Sequence, residues 1–141
     1  MIAPPGILDD FDVCVSLRFL AGDTDNYFAG FDLRASDDGS YQVGIDSGGR
    51  FYVSWYDKRV WGGYLVKWGF QPALHKGFEA RNTLRVLMHG PQMRVYLNGV
   101  FSVSLHDARF SVGQLHLLAG PYNQEMRLAV SNLQVREARA T

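Results

Sequence analysis

Two groups of residues in this 141-residue chain have side chains suited to holding a polyol. The first is Asp32, Arg34, Gln42, Tyr52, Ser54 and Tyr56, which fall at even positions within three short segments. Successive side chains of a β-strand point to opposite faces, so even spacing predicts that these charged, amide and aromatic groups share one sheet surface. The second group is Trp61, Tyr64 and Trp68. Sugar rings offer apolar C–H faces that stack on aromatic side chains, while amides, carboxylates and guanidinium groups bond the hydroxyls. Plainer accounts stand beside both. The first group also fits a solvated or partner-covered sheet face carrying an Asp32–Arg34 pair. The second fits an irregular segment, the kind that commonly carries binding groups, pinned to the body of the protein by its rings.

Catalytic and metal chemistry find less support. Glu79, Glu125 and Glu137 lie in apparent loops or near the terminus, whereas cleavage of a glycosidic bond needs two suitably placed carboxyl groups. Asp23 with Asp25 and Asp37 with Asp38 occupy turn contexts, where Asp is favoured because its side chain bonds the local backbone. Asp23-Thr24-Asp25-Asn26 also offers hard oxygen donors suited to calcium, though without the fuller ligand spacing of a defined loop. The four histidines, at 75, 89, 106 and 116, have no close metal-ligand spacing. His106 and Asp107 are adjacent, so in a strand they would point to opposite faces, and no nucleophile can be named beside them. No catalytic residue is assigned and no cofactor is expected, with calcium at Asp23 and Asp25 the one metal candidate.

The elements that must position these groups read as strands throughout. Asn82 to Leu105 spells three antiparallel strands: Leu84, Val86 and Met88 alternate with Arg85, Leu87 and His89, and Met93, Val95 and Leu97 alternate with Arg94, Tyr96 and Asn98. His89-Gly90-Pro91-Gln92 joins the first two, and Asn98-Gly99 is a hairpin turn that tolerates positive φ at both central positions. Upstream, Phe11 to Leu20 and Tyr27 to Ser36 are strands, followed by strands defined by Tyr41, Val43 and Ile45 and by Phe51, Val53 and Trp55. Asp37-Asp38-Gly39 and Ser47-Gly48-Gly49 turn the chain between them. Residues 57–80 are less regular, with one short strand expected around Tyr64 to Lys67 and then a loop. Gly113 to Ala119 and Met126 to Arg136 complete the set, and a break of alternation at Ser131-Asn132 predicts a bulge. Residues 1–10, with Pro4-Pro5-Gly6, form an irregular lead-in.

Composition bounds the rest. The length suits one domain over residues 1–141 with a sizeable core. Lys plus Arg number 14 and Asp plus Glu number 14, so no overall field draws in nucleic acid. The single cysteine, Cys14, rules out an internal disulfide and reads as a passive strand residue. No apolar run approaches the roughly 18 residues of a membrane-spanning helix, and the first ten residues lack the basic and apolar regions of a secretory signal.

With the elements placed, the chain resembles the bacterial concanavalin A-like lectin/glucanase superfamily, and within it the laminin-G-like domains related to the 3-keto-disaccharide hydrolase family. The carriers are Ala29-Gly30-Phe31-Asp32-Leu33-Arg34-Ala35, Asp37-Asp38-Gly39-Ser40-Tyr41, Asn82-Thr83-Leu84-Arg85-Val86, Val95-Tyr96-Leu97-Asn98-Gly99 and Ser131-Asn132-Leu133-Gln134-Val135. The resemblance implies an all-β fold, an antiparallel two-sheet jelly-roll sandwich, and an extracellular or cell-envelope setting. The Glu-x-Asp-x-x-Glu strand motif of the laminarinase-type enzymes is absent from this chain. The expectation is a noncatalytic binding or adhesion module, with carbohydrate the first ligand class. The alternative is a structural or assembly module that contacts a partner protein or forms a homo-oligomer. An Asp-dependent glycoside-active enzyme ranks behind both.

Overall fold

The computed structural model of the protein describes residues 7–22, 27–120 and 126–137. Ten strands follow one another: β1 (Phe11–Gly22), β2 (Phe28–Ser36), β3 (Gly39–Asp46), β4 (Arg50–Asp57), β5 (Val60–Phe70), β6 (Arg81–His89), β7 (Gln92–Leu97), β8 (Val100–His106), β9 (Gln114–Gly120) and β10 (Met126–Glu137). They pair into two antiparallel five-stranded sheets, in the orders β10-β1-β6-β7-β8 and β5-β4-β3-β2-β9. We refer to these by their central strands as the β6 sheet and the β3 sheet.

Alternation explains why the two sheets stack. Each central strand carries one apolar row, and a row can leave water only by facing another. Phe11, Val13, Val15, Leu17 and Phe19 of β1 meet Phe31, Leu33, Tyr41, Val43, Ile45, Phe51 and Val53 of the β3 sheet, all at most 1% exposed. Leu84, Val86, Val95 and Leu97 complete this single core from β6 and β7. Burying each phenylalanine contributes roughly 2–3 kcal/mol.

The turns behave as their residue types require. Asn98 and Gly99 take φ of 52° and 79°, the positive pair that lets a two-residue turn match the twist of its strands. Gly90-Pro91 links β6 to β7, where the missing N–H of proline costs no ladder bond. In β10, register passes from Cys14↔Gln134 to Ser16↔Ser131, so Asn132 and Leu133 oppose Val15 alone. This is the expected bulge, and Asn132 has φ of 55°.

One expectation is corrected. The strand expected around Tyr64 to Lys67 is longer than expected: it is the eleven-residue edge strand β5, which carries Trp61, Tyr64 and Trp68, and the expected loop follows it from residue 71. Its three register shifts against β4 break the alternation that would have marked it in sequence. Before β1, Leu8 forms one isolated bridge with Gly113, bonding in both directions at 2.9 and 3.0 Å.

Candidate functional site

Cross-strand register assembles a surface on the outer side of the β3 sheet. The pairings His116↔Asp32, Asp32↔Gln42, Gln42↔Ser54 and Ser54↔Tyr64 place one polar row across all five strands. A second row runs Leu118, Gly30, Gly44 and Tyr52. Paired residues share a face, so the first row is the spine of the candidate site and the second supplies its floor.

The glycines set the shape of that floor. A Cβ on Gly44 would stand 2.5 Å from the Tyr52 ring, and one on Gly120 would stand 2.6 Å from the ring of Phe28. Both rings therefore lie down over bare backbone instead of standing away from the sheet. Tyr52 is 5% exposed and stacks against Trp68 at 4.2 Å between centroids and 39° between planes. Phe28 meets both rings edge-on, at 6.1 Å from Tyr52 and 6.2 Å from Trp68. Tyr64 approaches Tyr52 edge-on at 6.4 Å, and Trp61 approaches Tyr64 at 5.1 Å. The Arg50 guanidinium lies 5.3 Å from the centroid of Trp68. Five rings from β2, β4 and β5 thus form one connected aromatic tract, in geometries that the ring quadrupole favours.

Beside the tract lies a carboxylate under unusual strain of solvation. Asp32 Oδ1 is buried without a hydrogen-bond partner among the described residues. Burial raises the Asp32 pKa from its ordinary value, opposed by a hydrogen bond from Ser40 and by the nearby His116. His116 Nδ1 stands 3.9 Å from Asp32 Oδ2, and both side chains are partly exposed. That gap is too wide for a direct hydrogen bond. One hydroxyl oxygen placed about 2.8 Å from each atom would span it. Burial also pushes the Tyr52 hydroxyl well above the ordinary tyrosine range, so it remains a neutral donor and acceptor, with Gln42 Oε1 at 3.5 Å.

The residues expected to form a site divide as follows. Asp32, Gln42, Tyr52 and Tyr64 come together on the face, and Trp68 joins them through its stacking on Tyr52. Tyr56 lies one step along β4, paired with Ser40 on one side and Trp61 on the other. Arg34 is not on the face, contrary to expectation. Register shifts between Leu33 and Ser36 and between Asp32 and Ala35, with φ of 50° at Arg34 itself, turn its side chain inward. There it is 1% exposed and donates to the carbonyls of Asp9, Gly90 and Phe110 and to Asp10 Oδ1. Gly113 permits this bend, because a Cβ there would sit 2.3 Å from the Arg34 carbonyl carbon.

Phe28, Ser40 and His116 belong to the site but were not anticipated. Phe28 shares parity with Asp32 and could have been read from β2 alone. His116 could not, because its place depends on β9 pairing with β2 across more than seventy residues of intervening chain. Asp23 and Asp25, the calcium candidates, lie outside the described residues. Asp37 and Asp38 sit exposed in the β2–β3 turn, where the Asp38 N–H donates to Ser36 Oγ. Asp107 does not act with His106: it accepts from the Tyr41 hydroxyl at 2.6 Å and from Arg109.

Comparison with models of protein families and with curated proteins finds no match. Solved structures do match. The carbohydrate binding module CBM66 from Bacillus subtilis superposes with a TM-score of 0.75 at 14% identity, over 94% of this chain and 78% of that one. Sheep galectin-11, in complex with glycerol, gives 0.66 at 10% identity over 96% of this chain and 100% of its own. The alginate lyase AlgAT5 from polysaccharide lyase family 7 gives 0.61 at 12% identity, covering 93% of this chain and 60% of that chain. At such identities likeness speaks to fold alone, and the fold is an antiparallel two-sheet jelly roll.

Proposed function

We propose that the chain is a noncatalytic carbohydrate-binding module whose ligand lies on the outer face of the β3 sheet. The observation that carries this reading is the aromatic tract of Phe28, Tyr52, Trp68, Tyr64 and Trp61 bordering the polar row of His116, Asp32, Gln42 and Ser54. Apolar ring faces beside a few fixed polar groups are what a polyol requires, since its hydroxyls must be bonded as its C–H faces are buried. The neighbouring CBM66 and galectin structures support the same ligand class. The noncatalytic part rests on the carboxylates. Among the described residues, Asp46 is the other acid on this side; it accepts from the N–H groups of Gly48 and Arg50 and from Arg50 Nε, so it caps the β3–β4 turn and does not serve as the second group that glycoside cleavage uses. The closer relation to laminin-G-like domains and the adhesion role belong to this proposal too.

Titration of the intact protein against a broad glycan panel tests the reading. Trp68→Ala should weaken the best ligand by roughly tenfold, about 1.4 kcal/mol, and Trp61→Ala should weaken it less because that ring sits at the rim, 51% exposed. Absence of binding to every glycan would defeat the proposal. An assembly role is the second reading, favoured by Val100 and Phe101 at 55% and 54% exposure on the edge strand β8. Light scattering at increasing concentration checks it, with self-association expected to disappear in Phe101→Lys.

A further inference from the structure

The neutral total hides a strong asymmetry on the other sheet. Outward positions of the β6 sheet carry Arg18, Arg81, Arg85, Arg94 and Arg136, against Asp12 as the single carboxylate that its paired strands direct to the same side among the described residues. Asp12 is engaged by Arg85 through two bonds, Nε to Oδ1 at 2.9 Å and Nη2 to Oδ2 at 2.7 Å. The remaining four arginines have no carboxylate partner among the described residues. Two of them, Arg18 and Arg81, are directly opposite each other on neighbouring strands. Like charges at that separation, about 5 Å between Cα atoms, destabilise a sheet unless an anion lies between them.

The face is also shaped. A depression of about 670 Å³ is lined by Arg81, Thr83 and Asn98 among others, and a second of about 300 Å³ by Asp12, Arg85, Gln134 and Arg136. The two adjoin along β6, where Thr83 and Arg85 are alternate outward residues. Arg81 and Arg85 are about 13 Å apart along the strand. Between them, Ser16 Oγ and Thr83 Oγ1 lie 3.3 Å apart. Cations in two clusters with hydroxyl groups between them match a polymer that bears spaced single charges among neutral hydroxyls. We infer that the outer face of the β6 sheet is a second binding surface, and that its ligand is a carboxylated polysaccharide. Arg85 already shows the fork geometry with which a guanidinium holds a planar carboxylate. Nucleic acid fits less well. A flat sheet face cannot enter a groove. Single strands need a series of open rings for stacking, whereas of the two rings paired on this face Tyr96 is covered by the Arg85 guanidinium at 5.0 Å, which leaves Phe101 as a single exposed ring among the described residues.

Polygalacturonate, dextran sulfate, neutral dextran and duplex DNA, presented to the full chain by biolayer interferometry at one ionic strength, provide the test. Polygalacturonate should bind best of the four and lose affinity by about tenfold or more as salt rises from about 0.05 to 0.3 M. Arg81→Ser combined with Arg136→Ser should weaken it at least about tenfold, whereas Trp68→Ala should leave it unchanged. Arg81→Ser should also melt higher than the parent without ligand, which separates lost binding from lost folding. No binding of polygalacturonate, equal or tighter binding of dextran sulfate or DNA, or insensitivity to the arginine variants would each overturn the inference. None of those results bears on the aromatic face, whose binding is read separately with neutral glycans.

Discussion

Asp32 shows how one residue can be costly to the fold and useful to a ligand. Its carboxylate is partly desolvated, with Oδ1 unpartnered among the described residues and His116 just beyond bonding distance. Because its folded pKa is raised above the unfolded value, the folded state holds the proton more tightly. Its stabilising contribution is therefore complete below the unfolded pKa and is lost as pH rises through the folded one. At neutral pH Asp32→Asn should thus raise the melting temperature, and the gap between variant and parent should close as the solution is acidified. Melting curves across the acid range check this, and a gap that widens in acid would contradict it. The parity of β2 displayed Asp32 in the sequence, but its desolvation depends on Ser40 and His116 arriving from β3 and β9.

At the scale of elements, the end of β2 decides which polar residues reach the face. Parity places Arg34 beside Asp32, and the bulge reverses it. Once inside, Arg34 ties the segment before β1, the β6–β7 turn and the loop after β8 together through three carbonyls. Burial lowers its pKa, with Asp10 opposing, yet guanidinium remains charged at any ordinary pH. Arg34→Met should destabilise the protein by about 3 kcal/mol or more, since each buried acceptor left unbonded costs about 1–3 kcal/mol. Urea unfolding measures the loss, and a change below about 1 kcal/mol would mean that water replaces the donors. Strand β5 teaches a related lesson. Alternation revealed β6 and β7 because both are interior strands that pair with each other without a register shift, whereas three shifts along an edge left Trp61 to Trp68 without a readable period.

The whole molecule presents two outer faces of opposite chemistry, aromatic and polar on the β3 sheet, arginine-rich on the β6 sheet. The core between them is rigid and closely packed, so ligands on the two sides should bind independently. A protein saturated with a neutral glycan should bind polygalacturonate with unchanged affinity, and only the second interaction should weaken with salt. Competition titrations measure both, and mutual exclusion would place the two ligands on one surface.

The sequence by itself determined the strands with strict alternation, the two-residue turn at Asn98-Gly99, the bulge at Ser131-Asn132 and the row of core residues, because each follows from side chains a few positions apart. Only the tertiary structure decided which strands are neighbours, and with that the meeting of His116 with Asp32, the inward turn of Arg34 and the confrontation of Arg18 with Arg81. The physical reason is range. Periodicity reports on local backbone geometry, whereas sheet order is settled by how the apolar rows of distant segments pack into a single core.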